Sequence, residues 1–249
     1  MRTLCKTDEA RLIVEKTGLR HIAVIMDGNR RWAQKRLLSK AAGHRAGAQT
    51  LRRIATEAEK MGVKILTVYA FSSENWTRPK DEVDSLMDLI HEYIQQYIDD
   101  TKKNEMRICL IGDPTKLSAV LQRKITDLQE MTKNKKGLRV VIALNYGGRD
   151  DITRAARKLA ADVKGGRKTL DEINEKLFTS YLDTSGIPDP DLLIRTSGEV
   201  RISNFLIWQI AYTELYFCDK LWPDFSQKDL EKAIAQFKQR DRRYGGRDE

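Results

Sequence analysis

The chain has 249 residues, 41% of them hydrophobic and 33% charged, enough apolar side chain for one α/β domain with a sizeable core. Its 45 Lys and Arg against 36 Asp and Glu leave a net charge of +9, which suits phosphate-bearing partners, nucleic acid or an anionic membrane surface without choosing among them. Three widely spaced cysteines, Cys5, Cys109 and Cys218, argue against a disulfide framework or a CxxC zinc site, and no apolar run reaches the roughly 18 residues of a membrane span.

The N-terminal MRTLCKTDEARLIVEK mixes acids with bases and has no continuous apolar stretch, so no signal or transit peptide is expected and a reducing, cytoplasmic setting is the natural reading. Strand-like runs follow at Ile22 to Met26, Ile65 to Phe71, Met106 to Ile111, Arg139 to Leu144 and Leu192 to Arg195. Most are nearly continuously apolar, as parallel strands buried on both faces should be. Helical stripes separate them. Leu51, Ile54, Ala55, Ala58 and Met61 mark one, with Gly62 at its expected end. After Pro79, with Asp81 and Glu82 in the first turn, Val83, Leu86, Met87, Ile90, Tyr93, Ile94, Tyr97 and Ile98 mark a longer one. A third helix follows Pro114, and a fourth begins near Asp150 with Ile152, Ala155, Ala156, Leu159 and Val163 inward. The alternation predicts a single domain, residues 1–249, with a mostly parallel central sheet flanked by helices. Residues 1–20 form an N-terminal extension and residues 238–249 a basic tail. In such a sheet, ligands bind outside the carboxyl ends of the strands.

Two loops at such ends carry the chemistry. Asp27 directly follows the first strand, where its carboxylate could share a hard cation with phosphate oxygens. Gly28 clears space, Asn29, Arg30 and Arg31 supply donors, and a helix is expected to start near Arg31. Alone, Asp-Gly-Asn fits a solvated turn equally well. In the second loop Thr196, Ser197 and Gly198 suggest a phosphate-sized pocket of hydroxyls and amides. Arg201 and Ser203 are expected near the start of a further helical stretch. Glu214, inside the apolar IAYTELYF, needs a cation: a metal, or a salt bridge to one of these arginines. A third loop, Tyr69 to Pro79, mixes Ser72, Ser73, Glu74, Asn75, Trp76 and Arg78. Trp76 there reads either as a core plug or as an apolar wall beside developing positive charge, and His44 in AGHRAG as a satisfied helix-start histidine or a diphosphate donor.

MDGNRRWA, AGHRAG, YAFSSENWTRP, NYGGRDD and RTSGEVRISNFLIWQIAYTELYF closely resemble, in order and spacing, the signature segments of the cis-prenyltransferases, over roughly His21 to Phe225. The resemblance implies a Mg²⁺-dependent transferase that adds isopentenyl diphosphate units in cis to an allylic diphosphate primer such as farnesyl diphosphate. By that analogy Asp27 and Glu214 hold Mg²⁺, and Gly28, Asn29, Arg30, Arg31, Trp32, Lys40, His44 and Arg78 surround the primer diphosphate. Arg195, Arg201, Ile202 and Ser203 would hold isopentenyl diphosphate. Ser72, Ser73, Glu74, Asn75 and Trp76 would position the reacting centre, with Asn75 orienting a diphosphate oxygen that takes the proton, because a carboxamide is not basic. An apolar tunnel between sheet and helices, lined by the Val83 to Ile98 stripe with Ala70 and Leu138, would take the growing chain, although ordinary core packing explains most such stripes. The resemblance further implies a homodimer, no nucleic-acid partner, and a cytoplasmic protein touching the inner face of the membrane peripherally to release product.

The chain departs from the family pattern at Arg30, Leu37, Ser39, Lys40 and Val200, and it lacks the DDxxD pair of trans-prenyltransferases despite Asp99 and Asp100. Lys40 in place of a frequent Arg exchanges a bidentate grip for a point charge. Two other classes compete: a nucleic-acid binder using the basic tail from Lys238 to Arg247, and another metal-dependent phosphotransferase, although no GxxxxGK[ST] loop is present.

Overall fold

Residues 6–238 are described by the computed structural model. An N-terminal helix α1 (Lys6–Thr17) precedes strand β1 (His21–Ile25), helices α2 (Asn29–Lys35) and α3 (Lys40–Lys60), and strand β2 (Ile65–Ser72). Helix α4 (Lys80–Asp99), β3 (Arg107–Ile111), α5 (Ala119–Thr132), β4 (Arg139–Tyr146), α6 (Gly148–Lys164) and α7 (Glu175–Thr179) follow. The described chain closes with β5 (Leu192–Arg195), β6 (Glu214–Phe217) and α8 (Gln227–Lys238).

The six strands pair in the order β3-β4-β2-β1-β5-β6, all in parallel. The predicted α/β class and parallel sheet are found. Every residue of β1 is buried, because β1 lies between β2 and β5 and both of its faces are covered. The period-two alternation of a strand sorts the core onto two sides: Ile22, Val24, Leu66, Val68, Leu192 and Ile194 pack with α1, α3, α4 and α8, whereas Ala23, Ile25, Val141, Ala143 and Leu193 pack with Phe205 and Leu206. The N-terminal extension is mostly helix α1, whose Ala10, Ile13 and Val14 join the larger core. The basic tail beyond Lys238 lies outside the described residues.

Two features differ from the sequence reading. The stretch after Ser203 is not a helix: Ser203, Asn204 and Leu206 have φ of 47°, 62° and 49°, left-handed values that no right-handed helix accommodates. The apolar run that follows adds a sixth strand, β6, which hydrogen-bonds to β5 from Leu192↔Glu214 to Arg195↔Phe217.

The sheet also explains a local irregularity. The β2–β4 register shifts between Tyr69 and Phe71 and again between Phe71 and Ser72. Such a bulge re-aims the strand end, and Ala70 there comes to face the cavities described below.

His21 at the start of β1 supplies a test of the core. Its ring nitrogens lie 2.7 Å from the Pro188 carbonyl and 2.7 Å from Thr67 Oγ1. Burial pushes its pKa down from 6.5 to about 4, outweighing the Pro188 carbonyl and Asp191, which favour the proton. The unfolded chain therefore takes up a proton before the folded one does. Stability is fully present above about pH 6.5 and is lost as pH falls toward about 4, by up to roughly 3 kcal/mol. Thermal unfolding followed from pH 7.5 down to 5 should show a falling midpoint, and His21→Asn should flatten that slope; an equally steep slope in the variant would refute the assignment.

Candidate active site

The connection from β1 runs to β2 on one side of the sheet, while β5 enters on the other, so the carboxyl ends of β1 and β5 flank the crevice where the strand order reverses. Asp27 leaves β1 there and Arg195 ends β5 beside it. Arg195 Nη2 donates to Asp27 Oδ2 at 2.9 Å, with the arginine side chain 3% exposed and the aspartate 31%. Arg195 Nη1 donates to Ser203 Oγ at 2.7 Å and to the Arg201 carbonyl, tying the second loop back onto its strand. Thr196, fully buried, clasps the Asp27 backbone: its hydroxyl accepts from the Asp27 amide at 3.0 Å and donates to the Asp27 carbonyl at 2.7 Å. On the outer side Arg31 Nη2 lies 3.7 Å from Asp27 Oδ1 and 3.1 Å from Glu199 Oε1, and Glu199 also pairs with Arg201.

This geometry corrects the expected Thr196–Ser197–Gly198 phosphate pocket. The amides of Ser197 and Gly198 donate to the carbonyls of Lys220 and Cys218 at 2.7 and 2.9 Å, and the Ser197 hydroxyl accepts from Arg31. Those donors hold the loop to its neighbours instead of facing a ligand. Gly28 likewise serves packing: its φ is 106°, and a Cβ there would meet Leu221 Cδ2 at 2.9 Å and Ser197 Cβ at 3.1 Å. Gly43 and Gly47, one turn apart in AGHRAG, let α3 approach Asn29 so closely that a Cβ at either would lie 2.3 Å from an Asn29 oxygen.

A second cluster forms around Glu82, which the sequence reading placed only in a first helical turn. Its carboxylate, 2% exposed, receives Arg78 at 3.0 Å, Lys40 at 3.1 Å and Arg30 at 3.8 Å. His44 lies within this field, its pKa pushed down from 6.5 to about 4 by burial first and then by Arg78, with Arg30 and Lys40 acting the same way against Glu82. It is therefore neutral at pH 7. Its Nε2 is buried without a hydrogen-bond partner, as are Asn29 Oδ1 and Arg195 Nε. Buried polar atoms are normally paired, and the His44, Asn29 and Arg195 side chains all line one cavity, so these orphans mark a place for a polar ligand.

In the third loop Ser72 and Asn75 cap the short 3-10 turn after β2, and Asn75 Oδ1 accepts from the Ser72 amide at 3.1 Å. What its carboxamide still offers a ligand is the Nδ2 donor, in keeping with a role other than base. Glu74 Oε1 accepts from Asn204 Nδ2 at 2.7 Å. Burial pushes the Glu74 carboxyl up, but this bond and neighbouring donors hold it below the usual range. Asn204, absent from the sequence reading, also accepts from the Arg149 and Gly148 amides at 2.9 and 2.7 Å, so it joins three loops. Asn in a left-handed backbone position is the signal that could have found it, but only once the turn is known.

Asp27, Asn29, His44, Ser72, Glu74, Asn75, Arg78, Arg195, Arg201, Ser203 and Asn204 thus line one cavity of about 620 Å³. Gly28, Arg30 and Arg31 line an adjoining cavity of about 310 Å³ that shares Asp27, Asn29, His44 and Arg78 with it. Met26, Asn29, His44, Ala70 and Leu86 are shared with an adjoining apolar cavity of about 120 Å³, lined further by Leu51, Leu89, Ile90, Tyr93, Ile94 and Tyr97. Of the α4 stripe, Leu86, Ile90, Tyr93, Ile94 and Tyr97 line that cavity with Ala70, whereas Val83, Met87 and Ile98 pack in or against the core and Leu138, 1% exposed, is not in the lining.

Other expected site residues are not brought to the cavity. Trp32 Nε1 donates to Asp224 at 2.7 Å under the Arg36 guanidinium, Lys40 reaches the site only through Glu82, and Ser73 and Ile202 are not in the lining. Trp76 is the core plug: its ring meets Phe71 edge-on at 5.0 Å and its Nε1 donates to Asn145 at 2.7 Å. Glu214 begins β6 opposite Leu192 and Ile22, at the amino edge of the sheet, whereas Asp27 stands beyond the carboxyl edge. Within one chain the two carboxylates cannot share an ion, because parallel pairing puts the length of the strands between them. Among the described residues no three His, Cys, Asp or Glu cluster into a metal cage. Asp27, 31% exposed in the cavity lining, is the carboxylate there that fits Mg²⁺, which keeps most of its ligands as water and phosphate oxygen.

A family described as "Putative undecaprenyl diphosphate synthase" matches residues 25–245. The chain is 49% identical over 235 residues to an isoprenyl transferase of Clostridium perfringens, covering 94% of this chain and 93% of that one. It is 48% identical over 225 residues to a ditrans,polycis-undecaprenyl-diphosphate synthase ((2E,6E)-farnesyl-diphosphate specific) of Legionella pneumophila, covering 90% and 94%. The crystal structure of lavandulyl diphosphate synthase from Lavandula x intermedia, in complex with dimethylallyl diphosphate, superposes with a TM-score of 0.88 at 38% identity, covering 91% of this chain and 98% of that one.

The Thr196 clasp predicts a specific loss. Thr196→Val removes the hydroxyl and leaves the Asp27 amide with only the Ile25 carbonyl, 3.0 Å away, which should lower stability by about 1–3 kcal/mol. Urea unfolding should show this, and Thr196→Ser should restore most of it; a Val variant as stable as the parent would remove Thr196 from the account.

Proposed function

The chain belongs to the undecaprenyl diphosphate synthase family of prenyltransferases and elongates prenyl chains in cis, and we propose that it condenses isopentenyl diphosphate onto farnesyl diphosphate with Mg²⁺ to make a long polyprenyl diphosphate of the undecaprenyl class. The observation that carries the reading is the junction of the two cavities: a cationic chamber with unpaired polar atoms adjoins an apolar one, the two sharing Met26, Ala70 and Leu86. An allylic diphosphate has that shape, a charged head on an apolar tail.

On this reading the primer's diphosphate lies among Asn29, Arg30, Arg31, His44 and Arg78, with Gly28 giving the turn. Isopentenyl diphosphate lies against Arg195, Arg201 and Ser203. Mg²⁺ on Asp27 would supply a Lewis acid for charge that grows as the allylic carbon–oxygen bond breaks. The arginines are placed before that charge appears, so they favour the transition state over the ground state. Neutral His44 donates to the head without adding charge, and Asn75 orients an oxygen of the departing diphosphate toward the proton lost from the new chain. Ser72, Ser73 and Glu74 hold that loop, while Trp76, Trp32 and Ile202 act by packing. The apolar cavity would lengthen into a tunnel as α4 gives way. The pairing of Asp27 and Glu214 on one ion that the resemblance implies would require a second copy to supply the glutamate, as a homodimer would. No helix among the described residues is long and apolar enough to cross a membrane, so contact with the bilayer would be peripheral.

Radiolabelled isopentenyl diphosphate with farnesyl diphosphate and Mg²⁺ should give butanol-extractable label that requires the metal. Asp27→Ala should lower the rate at least about 100-fold, the scale of losing a preorganised electrostatic contact. Metal-independent label, or full activity in Asp27→Ala, would sink the reading.

Each added five-carbon unit gains about 3 to 4 kcal/mol on leaving water, so product release should limit turnover. Detergent should raise steady-state turnover and leave single-turnover elongation unchanged. A steady-state rate indifferent to detergent would count against retention of the chain.

A further inference from the structure

Glu82 is the acid on which two of the proposed primer-binding arginines, Arg30 and Arg78, converge with Lys40, and each cation comes from a different element. Arg30 belongs to α2, Lys40 opens α3, and Arg78 stands in the segment between β2 and α4. The carboxylate is 2% exposed, yet the three cationic side chains are 56%, 50% and 33% exposed, so their heads sit at the wet mouth while their common anchor is dry. Glu82 lies in the first turn of α4, where its charge also favours the helix N-terminus, but its three cationic partners come from outside that helix. Burial disfavours the charged form, but Lys40, Arg30 and Arg78 together hold its carboxyl below the usual range. A buried charge of this kind persists only where partners offset its desolvation.

We propose that Glu82 is a positioning residue for the allylic diphosphate: it assembles Arg30, Lys40 and Arg78 into a preset array before the ligand arrives. Three cations left to themselves would repel one another and splay into solvent. The carboxylate is met through Nη1 of Arg30, Nη1 of Arg78 and Nζ of Lys40, so each guanidinium keeps further N–H donors for phosphate. The same anchor sets the distance from head to tail. Leu86, Ile90 and Tyr93 follow Glu82 along α4 at helical spacing and line the apolar cavity, so the headgroup array and the tail-binding wall are parts of one rigid helix. Lys40 fits this role without the bidentate grip of an arginine, because it contributes charge through a shared anchor.

The inference rests on the proposed prenyltransferase reading, and binding separates it from turnover. Farnesyl thiodiphosphate, an allylic analogue that ionises poorly, would be titrated calorimetrically into the full-length protein and into Glu82→Gln and Glu82→Asp, without isopentenyl diphosphate. Glu82→Gln should weaken its binding about tenfold or more and make the remainder more sensitive to salt, while the KM for isopentenyl diphosphate stays within twofold. Glu82→Asp should recover part of the loss. A merely structural glutamate would weaken both substrates together with the unfolding midpoint. Analogue affinity within twofold of the parent in Glu82→Gln, or equal losses for both substrates, overturns the proposal. A parent protein that binds the analogue but condenses nothing would overturn the function and leave the Glu82 comparison readable.

Discussion

The bond between Arg195 and Asp27 governs much of this architecture. An arginine side chain 3% exposed must have its charge answered locally, and the sheet answers it by running β1 and β5 side by side until their last residues meet at 2.9 Å. The constraint propagates outward. Thr196 fixes the Asp27 backbone, the Asp27 carbonyl accepts from Trp222, and Trp222, fully buried, donates its indole N–H to the Gly47 carbonyl on α3. A single chain of hydrogen bonds therefore links the crevice to the helix that carries His44.

Charge in the crevice is arranged in alternation. Asp27 lies between Arg195 and Arg31, Glu199 between Arg31 and Arg201, and Glu82 among Arg30, Lys40 and Arg78. Without the acids the cations would repel, and without its three cations the buried Glu82 carboxylate would have nothing to offset its desolvation. The surplus of positive charge left over is what an incoming anion meets. Its focus in one chamber, open on one side to Leu86 and Ala70, distinguishes the site from a basic stripe that would track a nucleic-acid backbone.

Much of this was legible in the chain. The continuous apolar run HIAVI has one reasonable fate, a parallel strand covered on both faces, and Asp27 directly after it had to reach the carboxyl edge. The stripe from Leu86 to Tyr97 was readable because helical spacing is local. Glu82 and Asn204 were not readable as hubs, since what makes them so are partners from other elements: Arg30 and Lys40 for the one, Glu74 and the α6 amides for the other. The Thr196 to Gly198 segment shows the opposite error, for its composition suggests an anion pocket but its donors are claimed by Lys220 and Cys218.

Sequence by itself determined the strands, the helical stripes, the chemical types gathered at the strand ends and the family, because each depends on neighbours within a few residues or on the order of whole segments. Only the tertiary structure decided which charges meet. It gave Glu82 three partners, packed Trp76 against the core, and set Glu214 at the far edge of the sheet from Asp27. The physical reason is that Coulomb attraction and hydrogen bonding act over a few ångströms in space, and the fold fixes those distances through contacts between elements that are remote in the chain.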